Sequence, residues 1–501
     1  MGMGVTAYLF IATGLVGLAY FAKKWLEFRK MPPGPWGIPI LGYLPFMLFR
    51  NPLKAFPEFK KRYGKVFSMT LGDFRVVVIN DYKLINEAYK QDVFLGRPAF
   101  VAQMTRNHGQ KRGLLFSEGQ VWQEQRRFAL RHLRNFGFGK HSMESSLLYE
   151  AQELMTFFKD NAGKPICLRN KFNASVLNSL WYICTGTRFG VDDPNFSFMI
   201  DSFINNMQKL ELTGLVYFFP WVLKNTDIFI KGFWENFLRS RDRIQGLIKN
   251  CIEEHKKTFD DSDLRDFIDA MISKWKTTDD PKSSFFKEEG DLNMLLVLVD
   301  LFLAGAETTS STLQWAMLYM ITFPEIQTKV QQEIDAVIGP TRLPSLEDRP
   351  SMIYTEATLN EIHRYCSLVP CSVFHNTLED AELAGYHIPK DTVILANLRD
   401  AHYDKGYWGD PENFRPERFI DETGTKIVRH DAFMPFSAGK RTCLGDQLAK
   451  DSLFIFFTCL MQKFRVAKDP NAGVLSMEPN APTLIVAPVP FDIVVAPRGS
   501  S

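Results

Sequence analysis

Apolar residues recur every three to four positions through most of the chain, which is the spacing of amphipathic helices. Alternating apolar residues instead predict a hairpin of Lys65–Leu71 and Arg75–Ile79 around Gly72-Asp73. Further short strands are predicted at Leu383–Ile388, Thr392–Ala396 and Thr483–Val486. The predicted helices are Leu53–Tyr63, Glu118–Arg134, Ser146–Asn161, Phe172–Cys184, Phe196–Leu210, Gly232–Lys257, Asp263–Lys274, Leu292–Thr322, Pro324–Ile338, Met352–Tyr365 and Asp446–Phe464. The pattern predicts a mainly α fold with small β-sheets (α+β).

The segment Val5–Ala22 carries no charge and is long enough to cross a bilayer as a helix. The basic residues that follow it favour an anchor whose C-terminal side stays in the cytosol, and a cleaved signal peptide is the alternative. Met31–Pro45 is rich in proline and glycine and predicts a stiff spacer. We therefore expect an anchor with its basic flank at 1–30, a spacer at 31–50 and one large domain over 51–501.

Composition narrows the functional classes. Hydrophobic residues make up 46% of the chain and include 43 phenylalanines, so the domain can bury a bulky apolar ligand. The 59 lysines and arginines nearly balance the 57 acidic residues, which gives no reason to expect nucleic acid as a partner. The seven cysteines are scattered and odd in number, which is typical of reduced thiols in the cytosol. On that side of the membrane the glycosylation sequons at Asn173 and Asn195 are chance matches.

The loop Phe436–Gly445, FSAGKRTCLG, places a lone cysteine at the start of a helix. Free N–H groups and the helix dipole favour a thiolate at Cys443. Gly439 and Gly445 allow the backbone to approach a flat ligand, and Arg441 adds a fixed positive charge. One thiolate suits neither zinc nor an iron–sulfur cluster, but it suits a single axial bond to haem iron. The alternative is a buried structural cysteine.

The centre of the predicted helix Leu292–Thr322 reads Ala304-Gly305-Ala306-Glu307-Thr308-Thr309. Small residues at 304 and 305 would let a flat ligand lie against the helix. The Thr308 hydroxyl is predicted to bond to the carbonyl of Ala304 and to open a polar notch beside the acidic Glu307. An acid beside an alcohol can pass protons, whereas the alternative is a kinked core helix with a hydrogen-bonded glutamate.

Two further groups of charged residues stand out. Glu361 and Arg364 share a helix face at i, i+3, and Arg418 of Pro416–Phe419 could close a cluster with them. Trp122, Arg126, Arg97 and His375 are candidate partners for the carboxylates of a buried cofactor, because such groups must be paired. The basic residues Arg126, Arg127, Arg131 and Arg134 indicate either a solvated face or a dock for an acidic electron donor.

These motifs, in this order and spacing, resemble the cytochrome P-450 family of haem-thiolate monooxygenases. They are FSAGKRTCLG, AGAETT, the Glu361–Arg364 pair, PERF and the Trp122–Arg126 helix, and the likeness covers nearly the whole chain. The segments PPGPWGIPILGYLP, LFSEGQVWQEQRRFALRHLRNFGFGK and LFIFFTCLMQKF are similar to animal microsomal family 2, in particular its arachidonate-oxidising J subfamily.

The resemblance implies a role for each matching residue. Cys443 would be the axial ligand of the iron of haem b, with Phe436 and Gly439 shaping its loop. Glu307 and Thr308 would supply protons for oxygen activation, and Glu361, Arg364 and Arg418 would form a structural triad. The implied propionate contacts are Trp122, Arg126, His375, Arg441 and Arg97. One departure is Phe374, which stands where close relatives usually have proline.

The resemblance also implies an activity and a location. We expect an endoplasmic-reticulum-anchored enzyme with a cytosolic domain that inserts one oxygen atom from O2 into a lipophilic substrate. The electron donor implied is NADPH–cytochrome P-450 reductase, in this family sometimes with cytochrome b5, and the dock would be the helix around Arg126–Arg134 with Lys440. The alternatives are a haem-thiolate isomerase or lyase that acts on peroxides, and a non-catalytic, membrane-tethered haem or lipid binder.

The substrate pocket is predicted only in outline. The family likeness points to lining residues within Phe100–Leu115, around Asn206, Leu210 and Leu215, and within Asp300–Thr308, Val369–Phe374 and Ala481–Leu484. Most are apolar and fit fatty acids, steroids or xenobiotics equally well, although the J-subfamily likeness favours polyunsaturated fatty acids. The aromatic segment Tyr217–Trp234 is either core or an edge that dips into the membrane.

Overall fold

The computed structural model describes residues 29–48, 50–136, 141–190, 193–208, 231–480 and 484–499. Helices make up most of these residues and strands form three small sheets, so the predicted mainly α fold class is confirmed. The helices are α1 (Leu44–Leu48), α2 (Pro52–Tyr63), α3 (Tyr82–Lys90), α4 (Val101–Arg106), α5 (Gly119–Phe136), α6 (His141–Asp160), α7 (Arg169–Thr185), α8 (Pro194–Gln208), α9 (Lys231–Thr258), α10 (Phe267–Lys276), α11 (Lys287–Thr322), α12 (Pro324–Val337), α13 (Ile353–Cys366), α14 (Leu398–His402), α15 (Lys405–Trp408) and α16 (Asp446–Lys463).

The strands are β1 (Val66–Leu71), β2 (Phe74–Ile79), β3 (Ile166–Cys167), β4 (His375–Asn376), β5 (Ala381–Leu383), β6 (Tyr386–Ile388), β7 (Val393–Ala396), β8 (Phe464–Lys468) and β9 (Asp492–Pro497). The largest sheet has the order β1-β2-β7-β4. β1 and β2 form the predicted hairpin, and β2 pairs in parallel with β7 from a distant part of the chain. This pairing brings His375 of β4 to the same sheet as the N-terminal hairpin.

Two predicted strands are wrong. Leu383–Ile388 is not one strand, because Ala384 and Gly385 have φ of 52° and 80° and turn the chain between β5 and β6. Leu484–Val486 of the predicted strand Thr483–Val486 is not a strand, and Thr483 lies outside the described residues. Short apolar runs do not distinguish strands from extended loops.

Helix α11 is the centre of the protein and positions the candidate site. It begins earlier than predicted, with Glu288 and Glu289 in its first turn, where acidic side chains are favoured by the helix dipole. It packs against α7, α9, α13 and α16. Among the described residues α11 is the one helix long and apolar enough to cross a bilayer, but 78% of its most apolar window is buried inside the protein. The predicted anchor Val5–Ala22 lies outside the described residues.

Candidate active site

A cavity lies between the middle of α11 and the loop that precedes α16. Ala304, Gly305 and Thr308 line it from α11, and Cys443 lines it from the loop. Val176, Ser179 and Leu180 of α7, Leu114 and Leu115 of the segment before α5, and Leu448, Ala449, Ser452 and Leu453 of α16 complete much of the wall. The predicted small surface of α11 and the predicted cysteine therefore belong to one cavity.

The loop around Cys443 is held by close backbone contacts. The Cys443 N–H donates to the carbonyl of Phe436 over 3.0 Å. Gly439 has φ of 71°, and a Cβ on it would lie 1.9 Å from the carbonyl oxygen of Tyr89 in α3. Only glycine fits there, as predicted. Gly445 is different, because its φ of −97° suits any residue and a Cβ on it would meet no described atom within 4 Å.

The accessible surface of Cys443 faces the cavity, while protein surrounds its thiol on the other sides. Burial raises the pKa of this thiol, and a hydrogen bond from the Gly445 backbone and the charges of Arg126 and Lys450 only partly oppose the rise. Burial therefore works against the thiolate that the helix start favours, and the sequence shows only the favourable contribution. A metal ion bound by the sulfur would supply the missing stabilisation, since a coordinating thiol loses its proton.

Guanidinium groups gather at one side of the cavity. Arg441 is 7% exposed and lies with Cζ 4.2 Å from the ring centroid of Trp122. Its Nη2 donates to the carbonyl of Ser117 over 2.7 Å, whereas Nε and Nη1 are buried without a hydrogen-bond partner among the described residues. Burial and the neighbouring Arg97 lower the Arg441 pKa to about 8. Such a group calls for an anion.

Three other predicted cofactor contacts line the same side. Arg126 of α5 donates to the carbonyl of Thr442 over 2.7 Å, and Arg97 donates to the carbonyls of Leu115 and Phe374. His375 stacks on Tyr89 with ring centroids 3.9 Å apart, and its Nδ1 donates to the carbonyl of Phe94.

The charge state of His375 depends on the cationic groups around it. Burial, with the charges of Arg97 and Arg441, holds the pKa of His375 well below its usual value. A carboxylate placed among these groups would act in the opposite direction, because a nearby anion favours the charged imidazolium.

These observations fit haem b. A lone thiol on the cavity wall can supply one axial ligand, and the small residues of α11 leave room for a flat ring. The buried N–H groups of Arg441, with Arg97, Arg126 and His375 beside them, match the two carboxylates that such a ring carries. Trp122 is 7% exposed and contributes its ring to the Arg441 stack.

The acid and the alcohol of α11 occupy different faces. Thr308 lines the cavity, and its hydroxyl donates to the carbonyl of Ala304 over 2.8 Å, as predicted. Glu307 is 4% exposed and is not among the lining residues. Its carboxylate accepts hydrogen bonds from Asn173 of α7 and from Ser311. Burial raises the Glu307 pKa, while both bonds and the charge of Arg169 oppose the rise.

The predicted charge cluster is present and fully buried. Arg364 donates to both carboxylate oxygens of Glu361 over 2.7 Å, and Arg418 donates to one of them over 3.1 Å. The side chains of Glu361 and Arg364 are 0% exposed, and that of Arg418 is 3% exposed. Arg364 also donates to the carbonyl of His402. The cluster joins α13 to the turn Pro416–Phe419.

A second charged pair lies at the wall of the cavity. Asp300 of α11 lines it and pairs with Arg106 of α4. The same carboxylate accepts the N–H groups of Leu114 and Leu115 over 2.7 and 2.8 Å. These bonds tie the predicted pocket segment Phe100–Leu115 to α11.

Some of the other residues predicted to line the pocket do so, and others do not or lie outside the described residues. Val369, Ser372 and Val373 line the cavity, whereas Phe374 packs edge-on against Phe100 and does not line it. Leu210, Leu215 and Ala481–Thr483 lie outside the described residues, as does most of Tyr217–Trp234; nothing is described of the Asn206 side chain.

The predicted basic face needs one correction. Arg127, Arg131 and Arg134 of α5 are exposed, but Arg126 is half-buried and points into the protein towards Thr442. Lys440 is exposed and pairs with Asp92 over 2.6 Å. The surface face is therefore formed by Arg127, Arg131 and Arg134.

Sequence reasoning missed three residues beside the site. Tyr89 supports both Gly439 and His375 and donates to or accepts from Ser372, yet its short helix α3 was not predicted. His363 lines the cavity and packs against Phe436. Asn173 was predicted only as part of a glycosylation sequon, although its side chain is buried beside Glu307 and donates to it.

Comparisons with known proteins agree with these features. The family model described as Cytochrome P450 matches residues 32–495. Human Cytochrome P450 2J2 is 40% identical over 455 residues, which cover 90% of this chain and 88% of the relative. Rabbit Cytochrome P450 2J1 is 37% identical over 99% of this chain and 95% of its own length. Cytochrome P450 2L1 of Panulirus argus is 35% identical over 93% of this chain and 95% of its own length.

Proposed function

Because the chain belongs to the cytochrome P450 family and is a haem-thiolate monooxygenase with haem b, we propose that Cys443 is its axial iron ligand. The single observation that carries this assignment is that Cys443 lies on the wall of a cavity whose opposite wall is the small-residue face of α11. Bound haem would be the group at which O2 is reduced and from which one oxygen atom is inserted into a lipophilic substrate.

The other site residues would bind haem, orient it in the cavity and supply protons to the reaction. Arg97, Arg126, Arg441 and His375 would hold the two carboxylates of haem at the cationic side of the cavity, with Trp122 stacked beneath Arg441. The Arg441 N–H groups that lack partners among the described residues support this assignment. The apolar residues of α7 and α16 would exclude water from the reacting centre.

Thr308 and Glu307 would move protons. The Thr308 hydroxyl is on the cavity wall and can donate or accept there when its bond to Ala304 opens. Glu307 would release a proton towards Thr308 and regain one from solvent. The buried triad of Glu361, Arg364 and Arg418 would hold the haem-binding part of the fold without touching the ligand.

The axial assignment is tested by the spectrum of the reduced, CO-bound protein. Cys443→Ala should lose the thiolate-type Soret band, because no other thiol among the described residues lines the cavity. Cys459→Ala is the matched control, since Cys459 is buried in α16 and away from the cavity lining. An unchanged band in Cys443→Ala would falsify the assignment.

As a family member the enzyme takes electrons from a redox partner. We propose NADPH–cytochrome P450 reductase for this role, with cytochrome b5 as a second donor, docked on Arg127, Arg131, Arg134 and Lys440. We also propose a single-pass anchor within 1–30, a spacer over 31–50 and a cytosolic haem domain over 51–501 on the endoplasmic reticulum. The uncharged segment Val5–Ala22 with its basic flank supports this arrangement.

We propose polyunsaturated fatty acids as the substrate class, oxidised by hydroxylation or epoxidation. The J-type relatives and the apolar lining support it, but steroids and xenobiotics fit the same lining. A screen of substrate-induced spin-state changes across these classes tests the proposal. It fails if steroids or drug-like amines bind and fatty acids give no change. The isomerase and non-catalytic alternatives gain no support from the site, since Thr308 lines the cavity and the neighbouring residue of α11, Glu307, is a buried acid.

A further inference from the structure

The side of α11 that faces away from the cavity carries a buried polar cluster. Its members are Glu307 and Ser311 of α11 and Asn173 of α7, and each is at most 4% exposed. Asn173 Nδ2 lies 2.8 Å from Glu307 Oε2, and Ser311 Oγ lies 3.1 Å from Glu307 Oε1. Within the described part of the chain each carboxylate oxygen therefore has one donor, and the Asn173 donor comes from a separate helix.

The surroundings of Glu307 are otherwise unfavourable to its charge. The charged group that acts on it from α7 is Arg169, one helical turn before Asn173 and only partly buried. On α11 the next acid towards the N-terminus, Asp300, is occupied by Arg106 and two backbone N–H groups. The hydrogen bonds of Asn173 and Ser311 are thus the direct contacts that favour the ionised carboxyl.

Asn173 is suited to both protonation states of its neighbour. Its Nδ2 donates to Glu307, while its Oδ1 is buried and has no donor among the described residues. An amide presents donor and acceptor side by side, so it can pair with a carboxylate through Nδ2 and with a carboxylic O–H through Oδ1. This explains why Asn173 Oδ1, a buried acceptor that lacks a donor among the described residues, lies beside an acid that must gain and lose a proton.

We propose that Asn173 is a positioning residue for proton supply, which holds the Glu307 carboxyl on the α7 side of α11 and keeps it able to release its proton. The inference rests on the proposed role of Glu307 as the acid that serves Thr308. The path it defines runs from the partly exposed Arg169, past Asn173, to Glu307 and then across α11 to the cavity-lining Thr308.

The reaction provides a readout of this supply. Productive turnover combines RH, O2, two electrons and two protons to give ROH and H2O, whereas failed proton delivery lets O2, two electrons and two protons leave as H2O2. Removing the Asn173 donor raises the pKa of Glu307, which weakens it as an acid. The fraction of NADPH electrons that appears in H2O2 should therefore rise, and the pH at which coupling is best should move upwards.

The experiment uses the full-length holoenzyme with reductase and one fatty acid substrate. Asn173→Leu removes both polar atoms at similar volume, and Asn173→Asp replaces the donor with a second acid. Both should raise the H2O2 fraction several-fold at neutral pH, and Ser311→Ala should act in the same direction. Asn178→Leu is the matched control, because Asn178 is buried in α7 and, among the described residues, its side chain bonds to the backbone of Phe189 and not to Glu307.

A second readout is independent of turnover. The infrared band of the Glu307 carboxyl is identified as the band that Glu307→Gln lacks, and it is titrated with pH in each haem-loaded variant. The midpoint of this titration should move to higher pH in Asn173→Leu but not in Asn178→Leu. An unmoved band in Asn173→Leu overturns the inference, even if Glu307→Gln disturbs coupling. A moved band with no effect of Glu307→Gln on coupling instead overturns the proposed acid role of Glu307.

Discussion

The carbonyl oxygen of Tyr89 lies 1.9 Å from the place where a Cβ on Gly439 would stand. We therefore expect Gly439→Ala to push the loop of Cys443 away from α3. An alanine at positive φ costs roughly 1–2 kcal/mol, and the clash adds to it. Haem content, measured as the pyridine haemochrome, and the thermal midpoint should both fall.

Gly424→Ala is the control for this substitution. Gly424 has φ of 74°, but a Cβ on it would meet no described atom within 4 Å. Gly424→Ala therefore has the backbone cost of a positive φ without a steric clash. Equal loss of haem in the two variants would contradict the role given to Tyr89.

Breaking the buried triad should strongly lower the free energy of unfolding. Arg364→Met leaves the carboxylate of Glu361 in the core with only Arg418 and the Arg415 N–H, and loss of one partner of a buried pair costs about 3–5 kcal/mol. Arg415→Ala removes an exposed side chain that pairs with Asp410 and should cost about 1 kcal/mol or less. Urea denaturation measures both, and similar midpoints would contradict the prediction.

Arg441→Met should separate haem affinity from folding. In the haem-free protein the guanidinium is buried with only one hydrogen bond among the described residues, so its removal should change apo stability little. In the holoprotein it should increase the rate of haem transfer to apomyoglobin at least tenfold, because a charged bond to a carboxylate is lost. A haem transfer rate equal to that of the unmodified enzyme would contradict the propionate assignment.

Charge reversal on α5 tests the proposed dock. Arg127→Glu with Arg134→Glu should raise the KM for reductase several-fold at low salt, and the difference should shrink as ionic strength rises. Arg239→Glu reverses an exposed arginine on α9 and serves as the control. Reductase kinetics unaffected by the α5 pair would place the dock elsewhere.

Long periodic segments made α11 and α16 predictable, and the chemistry of a lone cysteine before α16 identified the cavity wall. The residues that contact these elements from distant parts of the chain could not be predicted in this way. Tyr89 reaches Gly439 through a contact between residues 350 positions apart, and the parallel pairing of β2 with β7 leaves no local pattern. The placement of Glu307 depends on which neighbour covers each face of α11, which helical periodicity cannot reveal. The thiol pKa depends on burial that only the folded chain shows.

The burial of Asn173 also bears on how the protein is made. An oligosaccharide can be added to Asn173-Ala174-Ser175 only on a chain that enters the lumen before it folds. A sugar at a side chain that is 2% exposed and bonded to Glu307 would keep α7 from packing on α11. A chain with a sugar at Asn173 would therefore lack the cavity wall that Val176, Ser179 and Leu180 of α7 provide, and could not enclose haem.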